Sequence, residues 1–455
     1  MTDMLVNPAS YKDPAGFVFE QNGLIYRQVN KEYAPFYNQL MQSGLYSFLT
    51  QKQWLLPHEE SDQAFNLSID SFKVLSTPKL PFISYSYEWS FEMLRDAALL
   101  TLDINKAAIE HGMILKDATS FNVQFYKGKP VFIDTLSFET YDTSRPWVAY
   151  RQFCENFLFP LFLEYYLDTD INRILSAYID GIPVNIAANC LPLRSRFNLG
   201  VWLHVYVQHS VTGNSKKESV LPFNKVKMQR MVEHLRQVVT SMKRQSPVSR
   251  WTNYYQGSIL SDEYLSEKEK LFRLFISGID YAQALDVGSN DGYFSNILSE
   301  DAAEVISIDA DSPCINRLYL QSKMDKRLNI LPMVVDISNP SPAVGFNNTE
   351  RPSFLQRIKC DLVAALAIMH HLVFTRNINP KLLPELFRQL TRKWLIIEFV
   401  PTEDPKVQEL LTQRKRFHSY DVLIFENDFS ALFEIEKKAG IPGSMRTLYL
   451  MKKRD

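Results

Sequence analysis

The stretch ALDVGSNDGYFSNIL, Ala284 to Leu298, decides how the rest of the chain is read. It opens on an apolar run (Ala284, Leu285, Val287) short enough for a buried strand, with Asp286 near its end. Gly288 and Gly292 then bracket Ser-Asn-Asp, and Tyr293, Phe294, Ile297 and Leu298 recur at helical spacing. A strand, a tight glycine turn and a helix make one half of a βαβ unit. Glycine suits such a turn because it adopts positive φ and lets a ligand come close to the backbone.

Working outward, Val305 to Ile308 reads as a second strand ending in Asp309 and Asp311. Asp309 lies 21 residues after Gly288, about where nucleotide-binding folds place an acid for the ribose hydroxyls. A carboxylate fits that task because it accepts two hydrogen bonds from neighbouring hydroxyls. Met333-Val334-Val335 leads into Asp336, and Asp361 to Ala367 and Trp394 to Val400 are further apolar runs. Helical stretches separate these runs, which predicts an α/β fold with a mostly parallel sheet. The loop is not the dinucleotide pattern G-x-G-x-x-G, since Asn290 and Tyr293 occupy the later glycine positions. It reads D-x-G-x-x-x-G.

That loop resembles motif I of the class I S-adenosylmethionine (SAM)-dependent methyltransferases, usually D/E-x-G-x-G-x-G, with Asn290 in place of the middle glycine. The resemblance covers roughly residues 251 to 455. It implies a Rossmann-like sheet with helices on both faces, closed by an antiparallel pair near Phe433 to Ile435 and Thr447 to Met451. It also implies SAM as cofactor. Asp286, Gly288, Asn290 and Gly292 would cradle its methionine end, Asp309 would take the ribose, and Asp336 would face the adenine amino group with Ile337 beside the ring. Tyr255, in the aromatic lead-in Trp251 to Tyr255, would fold over the cofactor or simply pack on the sheet edge.

After the fourth strand the chain reads Ala367-Ile368-Met369-His370-His371-Leu372, without the (D/N)-P-P-(Y/F) signature of many DNA and amino-group methyltransferases. It is similar to the H-H-L of many small-molecule methyltransferases. His370 or His371 is a candidate general base for an oxygen or carbon acid, since imidazole titrates near neutral pH; either can equally cap or pack the next helix. The G-S-N-D-G wording resembles carbon methyltransferases of sugar biosynthesis, and the combination of domains resembles methyltransferase-like bacterial proteins associated with nodulation. The expected acceptor is a small molecule, a glycan or a lipid-like molecule.

The 455 residues suggest two large domains, 1–245 and 246–455, with a linker at Ser246-Pro247-Val248-Ser249. A hydrophobic content of 46% is ample for buried cores, and a formal net charge of −1 imposes no global field that demands nucleic acid or membrane. Cys154, Cys190, Cys314 and Cys360 form no C-x-x-C pair, which argues against a zinc site or a disulfide framework and fits a reducing compartment. No secretory leader and no membrane-spanning run of about 18 apolar residues is read. A soluble, cytoplasmic protein with no metal is therefore expected.

The first domain is expected to be α+β and largely helical. Residues 17–29, FVFEQNGLIYRQV, predict a hairpin around Asn22-Gly23, and helices are expected near Tyr33 to Leu49 and Trp89 to His111. Asp117 and Asn122 stand in D-x-x-x-x-N, a glycine-turn hairpin follows at Lys127-Gly128-Lys129, and Asp134 ends its second strand. This segment resembles the catalytic segment of protein kinases and aminoglycoside phosphotransferases, where it implies Asp117 as base and Asn122 and Asp134 as Mg²⁺ ligands. No glycine-rich phosphate loop precedes it, Asp134 is followed by Thr-Leu-Ser rather than Phe-Gly, and Arg27 is the nearest cation on a candidate strand. A degenerate scaffold, with these residues as caps and strand ends, and a working phosphotransferase in a bifunctional protein both remain open. Arg151 to Asp168 reads as an apolar core helix, or as the lining of a lipid or aromatic pocket. Leu221 to Arg250 is a basic helix, read as interdomain and solvated; an RNA or protein acceptor is the alternative it raises, although nucleic acid is not the expected partner.

Overall fold

The computed structural model describes residues 5–62, 65, 69–212, 224–244, 262–412 and 418–454. Two compact units emerge: Met1–Gln245 with Ala343–Pro352, and Ser246–Pro342 with Ser353–Asp455. The short segment Ala343–Pro352 thus belongs to the first unit although it interrupts the second in sequence, an assignment that its loop-like composition does not announce. The Ser246–Ser249 linker and the aromatic lead-in with Tyr255 lie outside the described residues.

In the first unit, β1 (Leu5–Val6), β2 (Gly16–Gln21), β3 (Leu24–Asn30), β4 (Glu59–Glu60) and β5 (Ser71–Thr77) form an antiparallel sheet in the order β1-β2-β3-β5-β4. Asn22 and Gly23 turn the β2–β3 hairpin with φ of 54° and 77°, the left-handed pair that matches strand twist. Helix α1 (Phe91–Glu110) is buried along most of its length. Two short ladders follow it, β6 (Met113–Leu115) with β9 (Phe138–Thr140), and β7 (Val123–Tyr126) with β8 (Lys129–Phe132). The Arg151–Asp168 stretch ends in helix α2 (Phe159–Leu167), whose buried Phe159, Leu161 and Phe162 make it core. The basic helix α3 (Lys225–Ser241) is not interdomain. Met228, Val232, Leu235 and Val239 are buried, Arg236 bonds Asp103 of α1 at 2.7 Å, and Lys106 pairs with Glu233 at 3.5 Å. The charges cover one face of an amphipathic helix seated on α1.

The second unit opens with α4 (Asp262–Ile276) and carries β10 (Gln283–Val287), α5 (Tyr293–Leu298), β11 (Glu304–Asp309), α6 (Ser312–Met324), β12 (Ile330–Val334), β13 (Cys360–Ala365), β14 (Thr391–Phe399), β15 (Phe433–Gly440) and β16 (Thr447–Lys453). The seven strands run in the order β12-β11-β10-β13-β14-β16-β15. The first five are parallel and β16 is antiparallel to both neighbours. Continuous apolar runs such as Ala284-Leu285 and Leu362 to Ala365 are buried, as a sheet covered on both faces requires. The sheet order, with its reversed last pair, is the Rossmann-like arrangement implied by the methyltransferase resemblance. Register aligns the carboxyl ends of β10, β11 and β13: Val287 pairs with Ile308 and with Ala365. β10 is flanked on both sides by strands reached through crossovers, so this edge is the topological switch point where open α/β sheets bind ligands.

Candidate active site

Three of five consecutive residues after β10 have positive φ: Gly288 at 76°, Asn290 at 52° and Gly292 at 85°. Asparagine is among the few side chains that enter this region readily, which accounts for Asn290 standing where the motif has glycine. At Gly292 a Cβ would lie 2.3 Å from Leu318 Cδ1, so the glycine also lets α5 settle against α6. The loop is anchored from below by Gly288 and Ser289 N–H groups donating to the Ile308 carbonyl at 2.9 and 3.0 Å.

Above the strand ends lies a cavity of about 240 Å³. Gly288, Asn290, Asp309, Asp336, Ile337 and His371 all line it. Asp309 holds two loops together: its Oδ2 accepts the Asn290 N–H and its Oδ1 the Asp311 N–H, both at 2.9 Å. Burial pushes its carboxyl up to about 6. The Ala310 backbone also bonds this carboxylate, which stands at the cavity wall. Asp336 accepts from the Ser338 amide at 3.0 Å and hydroxyl at 2.5 Å, and from Arg376 at 2.7 Å. Arg376, half exposed at the rim, carries no sequence signal and was missed.

Asp286 and Gly292 do not line the cavity. Asp286 is buried in β10, where its Oδ2 accepts the Ser295 hydroxyl at 2.6 Å, and Ser307 in turn donates to Ser295 at 2.8 Å. Burial raises this carboxyl too, to about 6. Its place is to bind β10, α5 and β11 together beneath the loop, not to touch the cavity. Tyr255 lies outside the described residues.

The histidine pair is split. The two rings touch at a tilt of 41° with centroids 4.1 Å apart; His371 faces the cavity, whereas His370 is buried with Nδ1 unpaired. Burial, and behind it His371 and the cations Arg446, Lys268 and Lys406, hold the His370 imidazole well below its ordinary value, hence neutral. Ala367, also at the cavity wall, has a φ of 52°. That is costly for alanine, by roughly 1 kcal/mol, and such strain concentrates at functional sites. It also stops β13 at Ala365, two residues before the apolar run ends.

Behind this wall lies a buried charge cluster. Glu398, at the end of β14, is ion-paired with Lys268 at 2.5 Å and accepts from Tyr264 at 2.6 Å and Arg446 at 3.3 Å, and Arg446 reaches Asp404 at 2.8 Å. Burial alone would raise Glu398, but Lys268 and Arg446 pull it down to about 2. The cluster pins α4 to β14 and to the residue preceding β16, and it fixes the strand end beside the histidines.

In the first unit, the structure does bring Asp117, Asn122 and Asp134 together, but bonded through one another. Asn122 donates to Ser137 Oγ at 3.0 Å, the Ser137 hydroxyl donates to Asp134, and Asp134 is ion-paired with Arg27 and accepts the Leu136 N–H at 3.2 Å. Asp117, raised by burial and by Asp134, accepts the Thr119 N–H at 3.0 Å. Arg351 of the inserted segment lies 4.0 Å above the Phe121 ring. Among the described residues no cluster of three His, Cys, Asp or Glu side chains is placed to hold a metal, and no helix is long and apolar enough to cross a membrane.

No family model matches the chain. Among solved structures, the N-methyltransferase NodS from Bradyrhizobium japonicum WM9 in complex with S-adenosyl-L-homocysteine is 13% identical, with 46% of this chain and 100% of that chain aligned at a TM-score of 0.33. The magnesium protoporphyrin IX methyltransferase from Synechocystis PCC 6803 with bound SAH is likewise 13% identical, covering 45% and 93%, at 0.33. Among curated proteins, nodulation protein NoeA of Rhizobium meliloti (strain 1021) is 30% identical over 459 residues, which span 97% of this chain and 94% of NoeA. A likeness running through both units from end to end places this chain in the family of the nodulation protein NoeA.

Proposed function

We propose that the chain is a SAM-dependent methyltransferase whose cofactor lies in the cavity at the carboxyl ends of β10, β11 and β13. The observation that carries this reading is the Asp309 carboxylate at the cavity wall, paired with a loop whose backbone is open at Gly288. A Cβ at Gly288 would come within 3.2 Å of Ile368, into space the cavity needs. The donor and acceptor set fits the cofactor: Asp309 for two ribose hydroxyls, Asp336 for an exocyclic amine, and Ile337 for a ring face. SAM, when bound, supplies a methyl group on an already activated sulfonium.

The protein's own contribution is then alignment, exclusion of water and one proton transfer. His371 is the residue for the proton. Its ring stands at the cavity wall, against the neutral ring of His370. A neutral imidazole takes a proton from an oxygen or carbon acid as the acceptor attacks, and Ala367 and Ile368 hold the turn that presents it. The acceptor in this reading is a small-molecule, glycan or lipid-like oxygen or carbon acid, the class a histidine base serves. Ultraviolet crosslinking with methyl-labelled SAM tests the proposal. The wild-type chain takes up label that excess SAH competes away; Asp309→Ala takes up none.

A further inference from the structure

The first unit carries an apolar face that its own core does not cover. In the segment Leu193–Leu203, Leu193, Phe197, Leu199 and Trp202 are 72%, 94%, 66% and 50% exposed. These are high values for four large side chains within ten residues, and clustered exposure of this kind marks an interaction site. The segment is nevertheless firmly seated. Val201 and Val205 are fully buried, and a Cβ at Gly200 would meet Val238 of α3 at 2.8 Å. The helix that starts at Leu199 is therefore apolar on both sides, one side packed inward and the other bare.

Its charge is one-sided as well. Residues 181–212 contain no Asp or Glu, while Arg194 and Arg196 fall within them. Arg194 donates to the Tyr166 carbonyl at 2.7 Å, joining the half-exposed Tyr165 and Leu167 of α2 to this face, and Arg196 lies 4.8 Å from the Tyr206 ring. The acids that follow α2, Asp168 and Asp170, are occupied by Arg244 at 3.2 and 3.4 Å. α3 then opens with exposed Lys225, Lys227 and Arg230.

Phenylalanine, leucine and tryptophan beside arginine, without carboxylates, is the chemistry of an interfacial anchor. The aromatic and aliphatic side chains enter the headgroup boundary and the guanidinium groups meet lipid phosphates. We propose that the face carrying Leu193, Phe197, Leu199 and Trp202 docks this chain onto an anionic bilayer surface. The contact is peripheral, and its strength combines buried apolar area with attraction to anionic lipid.

Co-sedimentation of the full chain with vesicles tests this, using phosphatidylcholine alone against an equal mixture with phosphatidylglycerol. The wild type partitions onto the mixed vesicles, less so at high salt, and the double variant Phe197→Ser/Trp202→Ser loses roughly tenfold or more of that partitioning. Arg194→Gln/Arg196→Gln narrows the difference between the two vesicle types. Quenching by brominated acyl chains falls in Trp202→Phe. All variants keep SAH binding and monomeric mass, which serve as controls of fold. No partitioning by the wild type, or equal partitioning by the Ser double variant, overturns the proposal. So does a wild-type dimer that ignores vesicles and is dissociated by the same two substitutions, because the face then belongs to a second copy.

Discussion

The imidazoles of His370 and His371 lie against each other, tilted by 41° with centroids 4.1 Å apart, yet only His371 reaches the cavity above the sheet. Adjacent, chemically identical side chains therefore have separable roles. His371→Asn is expected to lower kcat by about a hundredfold or more, the usual loss when a general base is removed, while SAH affinity changes by no more than about threefold. His370→Ala instead opens a hole beside Lys268 and Arg446 and lowers the melting temperature by several degrees. Steady-state kinetics and a thermal melt on both variants separate the two.

Arg27 and Asp134 make the corresponding point for the first unit. The carboxylate that a Mg²⁺-nucleotide site needs is committed to a guanidinium and to Ser137. Calorimetric titration of Mg-ATP into the full chain is expected to give no binding heat. Asp134→Asn is expected to destabilise the first unit by about 2 kcal/mol, because it strands a largely buried Arg27. Urea denaturation measures this directly.

The loop after β10 gives opposite expectations at two neighbouring positions. Asn290→Gly keeps a φ of 52° without a side-chain penalty and keeps the amide that Asp309 accepts, so SAH binding is retained. Gly292→Ala must place a Cβ 2.3 Å from Leu318 Cδ1 at a φ of 85°, and is expected to cost about 2 kcal/mol or more. Chemical denaturation and an SAH titration on each variant check both.

Asp309 sets a pH dependence. Its carboxyl is raised to about 6 in the free protein. Above that it is ionised and can accept two ribose hydroxyls; below it, a proton occupies one acceptor. SAH affinity is therefore expected to be flat above about pH 7 and to fall as pH drops through 6, by up to tenfold per unit. In Asp309→Asn, the part of this slope near pH 6 that belongs to Asp309 is absent.

The sheet was legible because its buried parallel strands are short, mostly apolar runs, broken only by single polar residues such as Asp286 and Ser307, and because Asp309 ends β11 and Asp336 follows β12 at regular distances from the glycine turn. The direction of Asp286 was not legible. A carboxylate beside a motif glycine reads as a ligand, and only the Ser295 and Ser307 hydroxyls below it show where it turns. Arg376 and Ala367 escaped because a rim arginine and a left-handed alanine have no periodic signature. Ala343–Pro352 escaped for a related reason: its membership in the first unit rests on tertiary contacts such as Glu350 with Lys12 at 3.2 Å and with the Tyr11 hydroxyl at 3.4 Å. The partners of Glu398, from residues 264, 268 and 446, are likewise set by tertiary contacts that the sequence does not display.

Calorimetric titration of SAH into the purified full chain, with Asp309→Ala and Gly288→Val beside it, addresses the central claim. We expect one site with a dissociation constant on the order of micromolar, about −8 kcal/mol, lost in both variants while their folds persist. A folded wild-type chain that takes up no SAH, or a site untouched by either substitution, contradicts it.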